Sequence, residues 1–157
     1  MVRLDDSQVT RLQSQYETVL RLVRQQPEEA VRHQPEPGRW SVHENLAHLG
    51  RYSQVFREER LPMILEGKEP MFARYRAEED AYVPSWTDQN SQKLIDSFIH
   101  QRRQLTVQLM GLTEDELSRT GSHPLFGMMN VPEWTEFFLL HEAHHLLTVF
   151  RLLRSGK

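Results

Sequence analysis

Residues 132–154 read PEWTEFFLLHEAHHLLTVFRLLR, and this stretch decides the fold class of the 157-residue chain. Pro132 is a favoured first residue of a helix, and the pattern predicts a helix that continues to about Arg154. A helix that is apolar most of the way round lies either at the centre of a core or against a second subunit. The apolar side chains here fall on two faces, with Phe137, Leu140 and Leu147 on one and Leu139, Leu146, Phe150 and Leu153 on the other.

Three more segments carry apolar residues at spacings of three and four, which is typical of amphipathic helices. The first extends from about residue 6 to residue 26, the second from Ser41 to about Pro62, and the third from about residues 87–91 to Met110. Ser41 and Glu44 form the pattern of a capping box, which predicts the start of the second helix.

Two connecting regions lack this periodicity. Residues 66–88 form a long connection, which is either a functional loop or a segment that only packs over the end of a bundle. Residues 120–131 contain Gly121, Pro124 and Gly127 and are expected to be a loop. Four long helices, no strand pattern and one long crossover connection predict an all-α four-helix bundle. The length predicts a single domain over residues 1–157.

Composition excludes several classes of function. The chain has 19 Lys and Arg against 22 Asp and Glu, a formal net charge of −3. Nucleic-acid-binding domains are usually basic, so we expect no nucleic-acid partner. The sequence has no apolar run of 18 residues and no apolar leader, so we expect no membrane partner and, by default, a cytoplasmic location. There is no cysteine, which leaves His, Asp and Glu as the ligands for any metal.

Two histidines of the last predicted helix have the spacing of a metal site. His141 and His145 are separated by four residues, so their imidazoles lie on one face, one turn apart. They fall in the middle of a seam formed by Trp134, Phe138, His141, His145, Thr148 and Leu152. Imidazole is a ligand for zinc, nickel, copper and iron. The alternative is a pair of ordinary core or surface histidines, because this spacing often occurs by chance.

His48 borders the apolar face of the second predicted helix and could complete the site. Three protein ligands with a position left open for water or substrate are typical of catalytic zinc sites. A buried histidine hydrogen-bonded to a backbone carbonyl is the alternative. The string His141-Glu142-Ala143-His144-His145 also matches the H-E-x-x-H motif, in which the Glu acts as a general base. However, the residues after His145 include no His, Asp or Glu to supply the usual third ligand, so the sequence does not favour a peptidase.

These motifs together resemble the DinB-like superfamily, a damage-inducible family of metal-binding four-helix bundles. Residues 38–49, GRWSVHENLAHL, look like the family's second-helix signature. Residues 123–127, HPLFG, followed by Trp134 and by HEAHH at 141–145, look like its C-terminal half. The resemblance implies a bundle with a long crossover, often a homodimer. It also implies a divalent metal bound by His48, His141 and His145.

Three alternative functions follow from the resemblance and from the residues themselves. Family members include transferases that use bacillithiol or mycothiol and a thiol-dependent maleylpyruvate isomerase, and many members have no assigned activity. The leading hypothesis is a zinc or nickel enzyme, either an S-transferase or an isomerase, that uses a small-molecule thiol as its cosubstrate. The thiol would attack an electrophilic second substrate. The second is a non-catalytic metal-binding or stress-response bundle. The third is a zinc hydrolase with Glu142 as its base. A solvent-open cavity beside the histidines would favour an enzyme, whereas a filled core would favour the non-catalytic protein.

Overall fold

A computed structural model describes residues 1–155 of the chain. Four helical arms form a bundle, as the sequence predicts, and they comprise residues 6–23, 42–65, 91–110 and 131–155. The described α-helices are α1 (Asp6–Ser14), α2 (Thr18–Val23), α3 (Glu28–Arg32), α4 (Val42–Gln54), α5 (Leu61–Leu65), α6 (Val83–Thr87), α7 (Ser91–Met110), α8 (Glu114–Ser118) and α9 (Val131–Ser155). Two short strands, β1 (Thr120–His123) and β2 (Gly127–Asn130), complete the fold.

The first arm is shorter and less regular than the sequence predicts. A 3₁₀ turn at Gln15–Glu17 separates α1 from α2, and the arm ends at Val23 instead of about residue 26. The end has two local causes. Gln25 has a φ of 67°, which a helix does not accommodate. Gln26 precedes Pro27, and a residue before proline is disfavoured in helical conformation.

The second arm begins as predicted and continues beyond its predicted end. The Ser41 side chain accepts from the Glu44 amide, and the Glu44 carboxylate accepts from the Ser41 amide, so the capping box is present. A π-helical segment, Val55–Arg60, joins α4 to α5. Pro62 lies in the first turn of α5, where its missing N–H is tolerated, and the arm therefore continues to Leu65.

The region expected to be a loop at residues 120–131 contains a β-hairpin. The strands β1 and β2 pair antiparallel, with Thr120 opposite Asn130 and His123 opposite Gly127. The crossover supports the hairpin from its other edge, because the Phe72 amide donates to the carbonyl of Ser122 at 3.0 Å and the Ser122 amide donates to the carbonyl of Pro70 at 2.8 Å. The strands depend on these contacts, since Thr120 is their one β-branched residue and the two segments have little intrinsic strand propensity.

The long crossover returns to the bundle through α6. Trp86 is buried in the core, and its ring packs against Gly50 of α4 so closely that a Cβ at residue 50 would lie 2.2 Å from the Trp86 ring. The crossover is therefore anchored to the bundle at its C-terminal end. Within residues 1–155, no helix is both long and apolar enough to cross a lipid bilayer.

Two apolar clusters fill the bundle, and the candidate histidines lie where one gives way to the other. On α4, Leu46 and Leu49 belong to the first cluster and Tyr52 to the second. On α9, Leu139 belongs to the second cluster and Leu146 to the first. The change of cluster on both helices leaves a polar layer between them.

Candidate metal centre

The structure brings the three predicted histidines together. His48 projects from α4, and His141 and His145 project from successive turns of α9. One ring nitrogen from each lies within 4.8 Å of the other two, and the Nε2 atoms of His48 and His141 are 3.1 Å apart. Within residues 1–155 this is the one group of three or more metal-ligating side chains that meets such a distance.

Asn45 orients one of the three imidazoles. Its amide nitrogen donates to the carbonyl of Ser41 at 2.9 Å, so its Oδ1 faces the ring of His145 at 2.9 Å from Nδ1. Because an amide oxygen only accepts, the proton of His145 lies on Nδ1 and the lone pair lies on Nε2. A second hydrogen bond of this kind is typical of metal-binding histidines, where it fixes the tautomer and the ring orientation.

Burial keeps all three imidazoles neutral at physiological pH. It lowers the pKa of His48 to about 4. Burial, together with the nearby histidines, lowers the pKa of His145 to about 3. For His141 the same causes and the charge of Arg60 lower the pKa to about 2. Neutral imidazole is the form that binds a metal ion.

Two ring nitrogens of the group lack hydrogen bonds. The Nδ1 atoms of His48 and His141 are buried and have no partner among the described residues. Such atoms are uncommon in native proteins and often indicate an ion or an ordered water. Three neutral nitrogen donors with no carboxylate among them fit zinc or nickel better than magnesium or calcium, which prefer oxygen ligands.

A cavity of about 700 Å³ opens directly onto the histidines. Exposed side chains at its rim, including Leu125 and Phe126, show that solvent reaches it. Its walls are mainly aromatic and basic. The lining residues are Trp40, His48, Tyr52, Arg60, Arg74, Tyr75, Arg76, Ala77, Glu78, His123, Pro124, Leu125, Phe126, Phe137, His141 and His145.

Aromatic rings cover the three histidines. The ring centre of Trp40 lies 5.0 Å from that of His48 and 6.1 Å from that of His145. The ring centre of Tyr52 lies 4.4 Å from that of His141. Burial raises the pKa of the Tyr52 hydroxyl to about 12, so Tyr52 is a neutral wall of the site.

Sequence reasoning alone missed several of these cavity residues, although part of the signal was present. Tyr52 follows His48 by one helical turn, so it had to share the face that carries the ligand candidate. His123 and Phe126 belong to the HPLFG string that carries the family resemblance. Arg60 had no such signal, because the π-helical segment changes the helical register that would place it.

Glu142 lies apart from the cavity. Its carboxylate accepts from Arg102 at 2.5 Å and 3.2 Å and from Gln15 at 3.0 Å. Both members of the Arg102–Glu142 ion pair are fully buried. The neighbouring His144 is exposed on the outer side of α9. The structure thus groups His48, His141 and His145 and directs Glu142 from a different face of the helix toward Arg102 and Gln15.

Comparisons with known proteins agree with the fold and the motifs. The model of the DinB superfamily matches residues 11–149. The uncharacterized protein YuaE of Bacillus subtilis is 25% identical over 130 residues, which cover 76% of this chain and 80% of YuaE. Among solved structures, YfiT from Bacillus subtilis superposes with a TM-score of 0.79 at 16% identity, over 96% of this chain and 86% of YfiT. YfiT is described as a probable metal-dependent hydrolase with an unusual four-helix bundle topology.

Proposed function

The chain belongs to the DinB superfamily, and from this premise we propose that it is a metal-dependent enzyme in which His48, His141 and His145 hold zinc or nickel. The observation that carries the proposal is the solvent-open cavity of about 700 Å³ that ends on the three histidines. A non-catalytic bundle needs no such space beside a metal, whereas an enzyme needs room for its substrate.

The side chains around the histidines have separate roles in this proposal. A bound divalent ion would lower the pKa of a coordinated thiol or water and polarise a carbonyl group. Asn45 accepts a hydrogen bond from Nδ1 of His145, and this leaves the lone pair on Nε2 free to bind the ion. Trp40 and Tyr52 cover the imidazoles and limit the access of water from the sides.

The reaction class that we propose is thiol-dependent transfer or isomerisation. In a transfer, the sulfur of a small-molecule thiol forms a new C–S bond, the leaving group departs with its bonding electrons, and the thiol proton passes to solvent. The chain has no cysteine of its own that would compete for the electrophile. The cavity is large enough for a thiol and a small electrophile together.

Hydrolysis is the second candidate, because the structural relative YfiT is described as a probable metal-dependent hydrolase. Glu142 is poorly placed to act as the base of such a reaction, since its carboxylate is occupied by Arg102 and Gln15. A hydrolase of this architecture would have to take its base from the cavity wall or use solvent.

Metal content tests the proposed ligands. We expect untagged protein to bind about one zinc or nickel ion per chain, and we expect His141→Ala to lose it. His144→Ala is the matched control, because His144 is a neighbour on the same helix with an exposed side chain. Elemental analysis after gel filtration is the measurement. Equal metal content in the wild-type protein and His141→Ala would overturn the site.

Turnover separates the enzyme from a non-catalytic metal-binding bundle. Metal-loaded protein is incubated with cysteine, glutathione or bacillithiol and with 1-chloro-2,4-dinitrobenzene, and thioether formation is followed by absorbance. A parallel assay without thiol follows hydrolysis of nitrophenyl esters. We expect thiol-dependent product that is absent with His141→Ala. Product without thiol would favour the hydrolase, and metal binding without any product would favour the non-catalytic bundle.

A further inference from the structure

Within residues 1–155, Arg60 is a buried cation without a carboxylate partner. Only 6% of the Arg60 residue is exposed to solvent. Among the described residues, no Asp or Glu oxygen lies within 4.0 Å of its guanidinium nitrogens. The other two buried arginines differ in this respect. Arg51 is paired with Asp80 and Glu59, and Arg102 is paired with Glu142.

In the part of the chain that the structure describes, the groups that hold the Arg60 guanidinium in place are all neutral. Nη2 donates to the carbonyl of Ala73 at 3.2 Å, and Nη1 donates a long hydrogen bond to the Tyr52 hydroxyl at 3.4 Å. The guanidinium carbon lies 5.4 Å from the ring centre of Phe72 and 5.5 Å from that of Trp134. These contacts fix the position of the group but leave its charge uncompensated. A buried charge without a counter-ion is costly to the fold, so its retention needs an explanation.

The uncompensated charge faces the cavity. Arg60 lines the cavity together with His123, Phe126 and Phe137. Arg60 contacts the Tyr52 hydroxyl, and the ring centre of Tyr52 lies 4.4 Å from that of His141, so Arg60 is close to the three-histidine group. Arg60 is also the last residue of the π-helical segment Val55–Arg60, and short π-helical segments inside α-helices are frequent at functional sites.

His123 supplies a second donor to the same part of the cavity. Its Nδ1 accepts from the amides of Leu125 at 3.1 Å and Phe126 at 3.2 Å. Since Nδ1 accepts and burial lowers the pKa of the ring, the imidazole is neutral with its proton on Nε2. Nε2 makes no hydrogen bond to any residue within 1–155, which leaves its N–H for a ligand.

We propose that Arg60 and His123 form a subsite for the carboxylate of a small substrate, so that the substrates of this enzyme are organic monocarboxylates. Arg60 is the buried arginine of the cavity wall, whereas Arg74 and Arg76 are exposed. The buried subsite therefore offers one cation and one neutral N–H, which match the single charge of a carboxylate better than the double charge of a phosphate monoester. The rings of Phe126, Phe137 and Trp40 then contact the uncharged body of the molecule. The direction of the reacting end toward His48, His141 and His145 rests on the proposed function, whereas the subsite itself does not.

Matched pairs of acids and amides test the subsite. The probes are phenylacetate and 3-phenylpropionate, each compared with its neutral amide of the same shape, and affinity is measured by calorimetry on wild-type protein at constant ionic strength. Charge-assisted hydrogen bonds are stronger than neutral ones, so we expect the acids to bind roughly tenfold or more tightly than the amides. Equal affinity of acid and amide in both pairs would overturn the proposal.

Variants test whether Arg60 is responsible for the preference for acids over amides. Arg60→Gln should abolish the preference for the acid, and Arg60→Lys should restore part of it. Arg57→Gln is the matched control, because Arg57 lies in the same π-helical segment and outside the cavity. The melting temperature of each variant is measured alongside, and Arg60→Lys together with the wild-type comparison keeps the test decisive if Arg60→Gln does not fold.

The same measurement on His141→Ala separates this proposal from the proposed function. A preference for acids that persists in His141→Ala supports the subsite even if no metal is bound by any variant. A preference that is lost in His141→Ala but retained in Arg60→Gln would mean that the carboxylate binds the metal. That result would overturn the subsite and support the metal site.

Discussion

Asn45 connects the capped start of α4 to the ligand candidate His145. Its amide spans the carbonyl of Ser41 and Nδ1 of His145. We expect Asn45→Ala to weaken zinc binding roughly 10- to 100-fold, because the imidazole loses the hydrogen bond that orients it. Competition titration with a chromogenic chelator measures the affinity. Asn45→Asp keeps an acceptor oxygen and should bind zinc at least as well as the wild-type protein. Equal affinities of all three proteins would contradict this role.

Glu142 is expected to stabilise the fold and not to act as a base. It is buried opposite Arg102, and removing one member of a buried ion pair costs about 3–5 kcal/mol. We expect Glu142→Gln to lower the free energy of unfolding by about this amount, as measured by urea denaturation, and to leave the metal content of the folded fraction unchanged. Glu136 is also on α9, and Glu136→Gln breaks its partly exposed pair with Arg11 of α1, so this control should cost about 1 kcal/mol or less. A stable Glu142→Gln protein that binds metal but has lost activity would instead support a catalytic Glu142.

The histidines and the residues around them differ in how far the sequence predicts them. Helical spacing predicts that His141 and His145 share a face, because a helix fixes which residues lie on one side, and the structure brings both of them close to His48. Their convergence into one group needed the packing of α4 against α9, which the family resemblance supplied and periodicity did not. Arg60 was not predicted, because it differs from the other buried arginines in having no carboxylate partner among the described residues. A sequence does not show which charged side chains are paired.

Helix boundaries were predictable where a local capping signal determines them. Ser41 and Glu44 mark the start of α4, and Thr113 and Glu116 cap α8 in the same way. The β-hairpin was not predictable, because its strands are stabilised by the crossover and by Trp134, whose indole N–H donates to the carbonyl of Gly121 at 3.1 Å. Contacts between segments that are far apart in the chain decide this element.

The packing of α6 on α4 depends on a glycine. A methyl group at Gly50 would lie 2.2 Å from Cζ3 and 2.5 Å from Cε3 of Trp86. An alanine in an unobstructed helix stabilises by about 0.5–1 kcal/mol relative to glycine, but overpacking of a core costs about 1–3 kcal/mol. We therefore expect Gly50→Ala to destabilise the protein in urea denaturation.

A double variant tests whether the contact between residue 50 and the Trp86 ring causes the loss of stability. Trp86→Leu alone should also destabilise the protein, because it leaves a cavity. If the two residues clash as described, Gly50→Ala combined with Trp86→Leu should lose less stability than the two single changes together. Strict additivity would mean that Gly50 acts through another contact.

Association of two copies stays a prediction, and the outer face of α9 carries exposed apolar side chains that two copies could bury against each other. Leu140, Leu147 and Phe150 are large apolar side chains that are 45–59% exposed on this helix. Sedimentation velocity measures the mass in solution, and the sequence analysis predicts a homodimer. We expect Leu147→Glu to shift the protein to the monomer if α9 forms the interface. A dimer that is unaffected by this change would have to use another surface.

The stability of the whole molecule should depend on pH through the ion pair that ties the crossover to the bundle. The Asp80 carboxylate accepts from Arg51 at 2.7 Å, from the Tyr75 hydroxyl at 2.8 Å and from the Tyr82 amide at 2.9 Å. Burial alone would raise its pKa, but these three hydrogen bonds outweigh burial and lower the pKa below its ordinary value of 3.8. Arg51 belongs to α4, so the carboxylate joins two parts of the fold.

The sign of the effect follows from this lowered pKa. The folded protein favours the ionised carboxylate, so its stabilising contribution is complete above the ordinary pKa and is lost as pH falls through the folded value. Urea denaturation of wild-type protein and Asp80→Asn should therefore give a constant difference in unfolding free energy between pH 5 and 7, and the difference should shrink below pH 4. Glu66→Gln, which removes an exposed pair with Lys68, should show almost no difference at any pH. A difference for Asp80→Asn that stays constant down to pH 2 would mean that the hydrogen bonds survive protonation and that charge contributes little to the anchoring of the crossover.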